Sequence, residues 1–238
     1  MGTAPGQTRN VFQQRSLGPQ RLRTVIRSPV VAWILACTAA ETLGIGTAAA
    51  VAVLLGEPQT AGDRWLTLAA MMAAGAVEGT ALGILLGRQL HRRLHTLSVQ
   101  AFLVPTVLFA VFGWGVGMGS ASGGGSGDGP PFAWVMLGAA LLGAAAGAVL
   151  GAAQWLVLRK HAQNAARWIG WSAAGWACAM VAIFAGATLP DATTPPWLIV
   201  LSGATGGAVG GALLGMVTAH FATTVEPVGP AVTTSRRV

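Results

Sequence analysis

Six apolar runs, each long enough to cross a bilayer as a helix, constrain this chain more than anything else in it. They cover approximately residues 30–55, 65–87, 97–118, 132–158, 168–189 and 197–221. A hydrocarbon core of about 30 Å takes about 20 apolar residues at 1.5 Å of helical rise each. Lipid offers no hydrogen bonds, so every backbone N–H and C=O in such a run must be paired inside the protein, which a helix does locally. The sequence therefore predicts an all-α, polytopic membrane protein with six transmembrane helices. A basic arm (1–29) precedes the membrane domain (30–221), and a short tail (222–238) follows it. Composition agrees: 9% of residues are charged, against about 25% in a soluble domain, too few to coat a water-facing surface.

The charges that remain sort by loop. The arm carries Arg9, Arg15, Arg21, Arg23 and Arg27, and the tail Arg236 and Arg237. Arg88, Arg92 and Arg93 follow the second run, and Arg159, Lys160 and Arg167 follow the fourth. Arg64 is the one basic residue on the other side, in company with Glu57, Asp63, Asp128 and Asp191. The positive-inside rule then predicts a multi-pass protein of the inner or plasma membrane with both termini cytoplasmic. A net charge of +7 would suggest nucleic acid on a soluble domain; spread over alternate loops it does not, and the expected partner is the bilayer. Trp65, Trp134 and Trp197 open the even-numbered runs and Trp33, Trp155 and Trp168 lie near the basic ends, the depths an amphipathic indole favours. The long basic arm and long first run do not have signal-peptide proportions.

Glycine recurs every fourth residue in the even runs: Gly75, Gly79, Gly83 and Gly87; Gly143, Gly147 and Gly151; Gly207, Gly211 and Gly215, with Gly206 and Gly210 as a second register. Residues four apart share a helix face, and small residues let helix backbones approach closely where apolar surface alone gives no driving force. Gly75, Gly143 and Gly211 are spaced by 68 residues, which predicts three parallel two-helix repeats. The expectation is that the even helices form the tight centre of the bundle, or that some glycine faces bind a second copy in a homo-oligomer.

Two acids lie deep in the apolar runs. Glu41 is about 16 Å beyond Val30 and Glu78 about 15 Å before Arg88 by helical rise, so both reach the bilayer midplane, and an antiparallel hairpin brings them level. A carboxylate there costs about 2.5–3.5 kcal/mol on insertion scales, and intramembrane acids mark ion or proton sites by default. Thr38, Thr42 and Thr80 are the hydroxyls that would satisfy them in a purely structural role. Gln154, about 7 Å from the basic end of the fourth run, is suited to hydrogen bonding between helices.

Other chemistry finds little support. Cys37 and Cys178 stand alone without a CxxC or zinc-ligand spacing, so no metal or cofactor is expected. The loop GSASGGGSGDGPP contains a formal GxSG at residues 124–127, but a serine nucleophile needs a positioned base, and His91, His95, His161 and His220 all fall at the basic edge. An enzyme is not expected.

At GAVLGAAQWLVLR, residues 147–159, followed by RWIGWSAAGWACAM, the chain resembles uncharacterised bacterial multi-pass membrane proteins with a repeated GxxxGxxQWxxLR pattern, matched by Gly147, Gly151, Gln154, Trp155, Leu158 and Arg159. The resemblance spans about residues 143–180 and implies a fold without implying an activity. In the second run Leu86 and Gly87 stand where Gln-Trp would fall. The functional expectation is a proton- or cation-linked small-solute transporter or channel with Glu41 and Glu78 as its coupling site; the alternative is a non-catalytic scaffold or assembly factor using the glycine faces.

Overall fold

The computed structural model describes residues 28–121, 130–191 and 193–229, with side chains omitted at 118–121. The arginines of the basic arm, the GxSG at 124–127 and the tail's Arg236 and Arg237 lie outside the described residues. Six helices account for nearly all of the rest: α1 (Pro29–Leu55), α2 (Ala61–His91), α3 (Val99–Ala121), α4 (Phe132–Leu158), α5 (Arg167–Ala187) and α6 (Pro196–Thr224). All six are long and apolar enough to cross a membrane. The chain is a multi-pass, all-α membrane protein.

The helix ends follow local chemistry. Proline opens α1 and α6 at a position where its missing N–H is not needed. Gly56, at φ 64°, ends α1 in a conformation that other residues avoid. α2 starts at Ala61, before its apolar run, because Thr60 and Asp63 form a reciprocal capping box: the Thr60 hydroxyl accepts from the Asp63 N–H, and an Asp63 carboxylate oxygen accepts from the Thr60 N–H.

The helices form a closed ring in chain order, with α6 returning to α1. Packing is most extensive within α1–α6, α4–α5 and α2–α3, and sparsest across α3–α4. This corrects the expectation of a glycine-lined centre made by the even helices. Each even helix turns its glycines onto an odd helix instead. A Cβ on Gly79 would lie 2.8 Å from Cα of Val107; on Gly147, 3.0 Å from Cα of Ala173; on Gly211, 2.8 Å from Cα of Thr38. Gly206 and Gly210 face α5, near Ile183 and Ala179, so α6 uses both of its registers, one on each neighbour. Backbones in contact on this scale leave no room for a side chain, and the close approach supplies the dispersion contact that lipid cannot better.

These contacts also fix the repeat. Gly79, Gly147 and Gly211 each meet the carbonyl oxygen of one residue and Cα of the next, the pairs being Thr106–Val107, Ser172–Ala173 and Cys37–Thr38. The spacing is thus 68 residues and then 64, and the equivalents of Gly75 and Gly143 is Gly207 rather than Gly211. Four residues are about one helical turn, so the missing turn leaves the glycine stripe on the same face.

The core lies toward the end that carries Arg88, Arg92, Arg93, Arg159 and Lys160. Trp33, Leu90, Leu94, Leu97, Phe102, Leu158, Trp168 and Phe221 are buried there in one cluster. A smaller cluster of Ala48, Met71 and Ala74 lies toward the other end. Large apolar side chains such as Leu43, Leu108, Phe112, Leu141 and Val209 are exposed on the perimeter, as are Trp65, Trp134 and Trp197 near the starts of the even helices. For a chain in lipid such exposure costs little, because the tails are as apolar as the side chains.

Candidate functional site

The two midplane acids stand where α1 and α2 meet. Glu78 lays its side chain over Gly44, whose missing Cβ leaves the space the Glu78 Cβ and Cγ occupy. Gly44 is three residues from Glu41, so it lies on nearly the same face of α1, and Glu41 and Glu78 thus share the α1–α2 seam. Glu78 is buried, and its Oε2 accepts a 2.7 Å hydrogen bond from Trp114 Nε1 on α3. Glu41 is fully buried, yet neither of its carboxyl oxygens has a hydrogen-bond partner among the described residues.

That lack has a local cause. The hydroxyls of Thr38 and Thr42, which stand near Glu41 in sequence, donate to Ile34 O and Thr38 O of their own helix. Thr80 is exposed, away from the pair. Thr38 and Thr42 thus have no hydroxyl proton left to give Glu41, and Thr80 is remote. An unsatisfied buried polar group costs about 1–3 kcal/mol, more if charged. Among the described residues no group of three His, Cys, Asp or Glu side chains is placed to hold a metal ion.

The other two repeats build the same helix contact without these acids. Gly75, Gly143 and Gly207 pack against the carbonyls of Ala110, Trp176 and Glu41 respectively. The positions equivalent to Glu41 are thus filled by alanine and tryptophan, and those equivalent to Glu78 by Ala146 and Gly210 at the same 68 and 64 spacing.

Comparison of the chain with family models, with curated proteins and with solved structures returned no match. The reading of this site rests on its own geometry.

A second polar group lies nearer the basic end. Trp168 Nε1 donates to Gln154 Oε1 at 2.7 Å, and Gln154 Nε2 donates to Thr106 Oγ1 at 2.9 Å. An indole N–H only donates, so it fixes which way the amide points. Thr106 donates onward to Phe102 O. Gln154 on α4 thereby ties α3 to α5 and bridges the ring's sparsest seam. In parallel, Trp33 Nε1 donates to Thr218 Oγ1 at 2.8 Å, tying α1 to α6. Gln154→Leu is expected to lower stability by about 1–3 kcal/mol, because it strands the Trp168 N–H in the core. Thermal unfolding in detergent measures this, and an unchanged midpoint would contradict it.

Beyond this layer the basic end is crossed by loop contacts. Residues 225–228 run antiparallel to the α4–α5 loop, with Gln163 N–H donating to Glu226 O and Val228 N–H to His161 O. Thr96 Oγ1 and His161 Nδ1 are 2.9 Å apart, and His91 Nδ1 is 2.7 Å from Leu97 O. His91 and His161 thus serve loop contacts, remote in sequence from both acids. Sequence reading singled out Glu41, Glu78 and Gln154 but missed Gly44 as the cradle, Trp114 as the Glu78 donor, and Thr106, Ser172 and Thr218 as partners or neighbours of Gln154. Cys37, Thr106 and Ser172 are 69 and 66 residues apart, so the 68-residue spacing does not align them; only the glycine that each carbonyl meets does.

Proposed function

We propose that the chain is a proton- or cation-linked transporter or channel for a small solute in the cell inner or plasma membrane, with both termini cytoplasmic and Glu41 and Glu78 forming the coupling site. The observation that carries this reading is the Glu41 carboxyl: fully buried, without a hydrogen bond among the described residues, and three residues from the Gly44 that Glu78 covers. Loading one proton or one monovalent cation cancels the repulsion between the pair, and unloading restores it. A site whose interaction with its surroundings changes by several kcal/mol on loading can bias a bundle between two arrangements. The symmetry argument supports the same reading, since two of three repeats build the same packing without an acid.

The scaffold alternative has less to draw on. It needs glycine faces free for another protein, and those of α2, α4 and α6 are occupied within the chain. The direct test is proton movement across liposomes containing the purified protein, read with an entrapped pH-sensitive dye under an imposed sodium, potassium or pH gradient. The expected result is a flux above that of empty liposomes with at least one gradient. Liposomes that stay as tight as empty ones under all three gradients would remove the reading.

A further inference from the structure

A cavity of about 20 Å³ lies where the six helices converge, walled by Leu82, Leu150 and Leu214 and by the polar side chains of Thr106, Gln154, Ser172 and Thr218. We propose that it binds one ordered water molecule, held chiefly by Ser172, Gln154 and Thr106.

Size allows one occupant of this kind. A water needs about 10–15 Å³ of such space, and the cavity offers about 20 Å³, which excludes an organic ligand. Polarity selects it. Ser172 is 2% exposed, and its hydroxyl makes no hydrogen bond among the described residues. Every other buried threonine, glutamine or tryptophan polar atom in the wall is already engaged: Thr106 with Phe102 O and Gln154, Thr218 with Leu214 O and Trp33, and Trp168 with Gln154.

The inventory of the engaged groups leaves complementary vacancies. The Gln154 amide has a second N–H beyond the one given to Thr106, and Thr106 Oγ1 keeps one lone pair after donating once and accepting once. Ser172 can donate or accept. One water can accept from Gln154, donate to Thr106 and exchange a hydrogen bond with Ser172, which makes three bonds, the usual number for a buried water. A cation would want acceptors alone and an anion donors alone; a mixed wall of neutral groups suits neither. Were the cavity dry, the Ser172 hydroxyl would be stranded in the core of the bundle, with no lipid headgroup or solvent in reach.

The inference does not depend on the transport reading, although Cys37 in the same wall is one helical turn from Glu41. A crystal structure of the full chain, at a resolution that shows other buried waters, decides it. A single peak at hydrogen-bonding distance from Ser172 Oγ is expected, and it should vanish or shift in Ser172→Ala. An empty cavity in the wild-type protein, or xenon bound there under pressure as in dry apolar cavities, would overturn the proposal. The wild-type measurements decide the matter even if Ser172→Ala does not fold.

Discussion

Gly147→Leu is expected to destroy the native bundle. A Cβ at that position would lie 2.6 Å from the Ser172 carbonyl oxygen and 3.0 Å from Cα of Ala173. Both are backbone atoms of α5, so no side chain can swing aside to relieve the clash. The helices must separate, and separation breaks the Gln154 bonds that join α3, α4 and α5. Overpacking of a well-packed core typically costs 1–3 kcal/mol, and rigid backbone on both sides puts this case above about 3 kcal/mol, where loss of folding is the usual outcome. Gly211→Leu should behave alike, because its Cβ would lie 2.6 Å from Cys37 O. Gly138→Leu and Gly170→Leu are the controls: nothing stands within 4 Å of a Cβ at either position, and both are expected to purify as the wild type does. Size-exclusion profile and thermal midpoint in one detergent distinguish the two classes. Equal behaviour of Gly147→Leu and Gly138→Leu would show that the α4–α5 contact is not what holds the ring.

Glu41→Gln is expected to abolish the coupled flux, by at least tenfold, while leaving the fold in place. Glutamine has nearly the same shape but cannot change charge, so it cannot load and unload a proton. Glu41→Ala should act in the same way, and the repeat says why it folds: alanine already occupies the equivalent position at Ala110. Glu78→Gln is expected to give a similar loss with a small cost in stability, since the Trp114 N–H then donates to a neutral acceptor in place of a carboxyl. Flux in the reconstituted variants, set beside their thermal midpoints, separates a coupling role from a structural one. Wild-type flux in folded Glu41→Gln and Glu41→Ala would end the assignment of that residue.

Much of the architecture was legible in local pattern. Run length and apolarity determine six spanning helices, because unpaired backbone cannot sit in lipid, and that requirement needs no knowledge of neighbours. The depths of Glu41 and Glu78 follow from helical rise for the same reason. The Thr60–Asp63 capping box was also present in the sequence, as T-A-G-D, although the apolar run alone places the start of α2 at residue 65.

Which helix each glycine face meets was a different kind of question. A stripe every fourth residue states that something approaches closely, and nothing in it names the partner; the ring order of the helices decided that α2 turns to α3, α4 to α5 and α6 to α1. The repeat register was ambiguous for a related reason. A one-turn deletion keeps every residue on its face, so Gly207 and Gly211 look alike until the carbonyl each one meets is known. Tertiary structure likewise brought Gly44 under Glu78, Trp114 onto its carboxyl and Ser172 to the central cavity, since residues tens of positions apart become neighbours only when the ring closes. Sequence alone determined what must lie in lipid and how deep; packing decided what touches what, because helical periodicity carries a face but not the identity of the helix opposite.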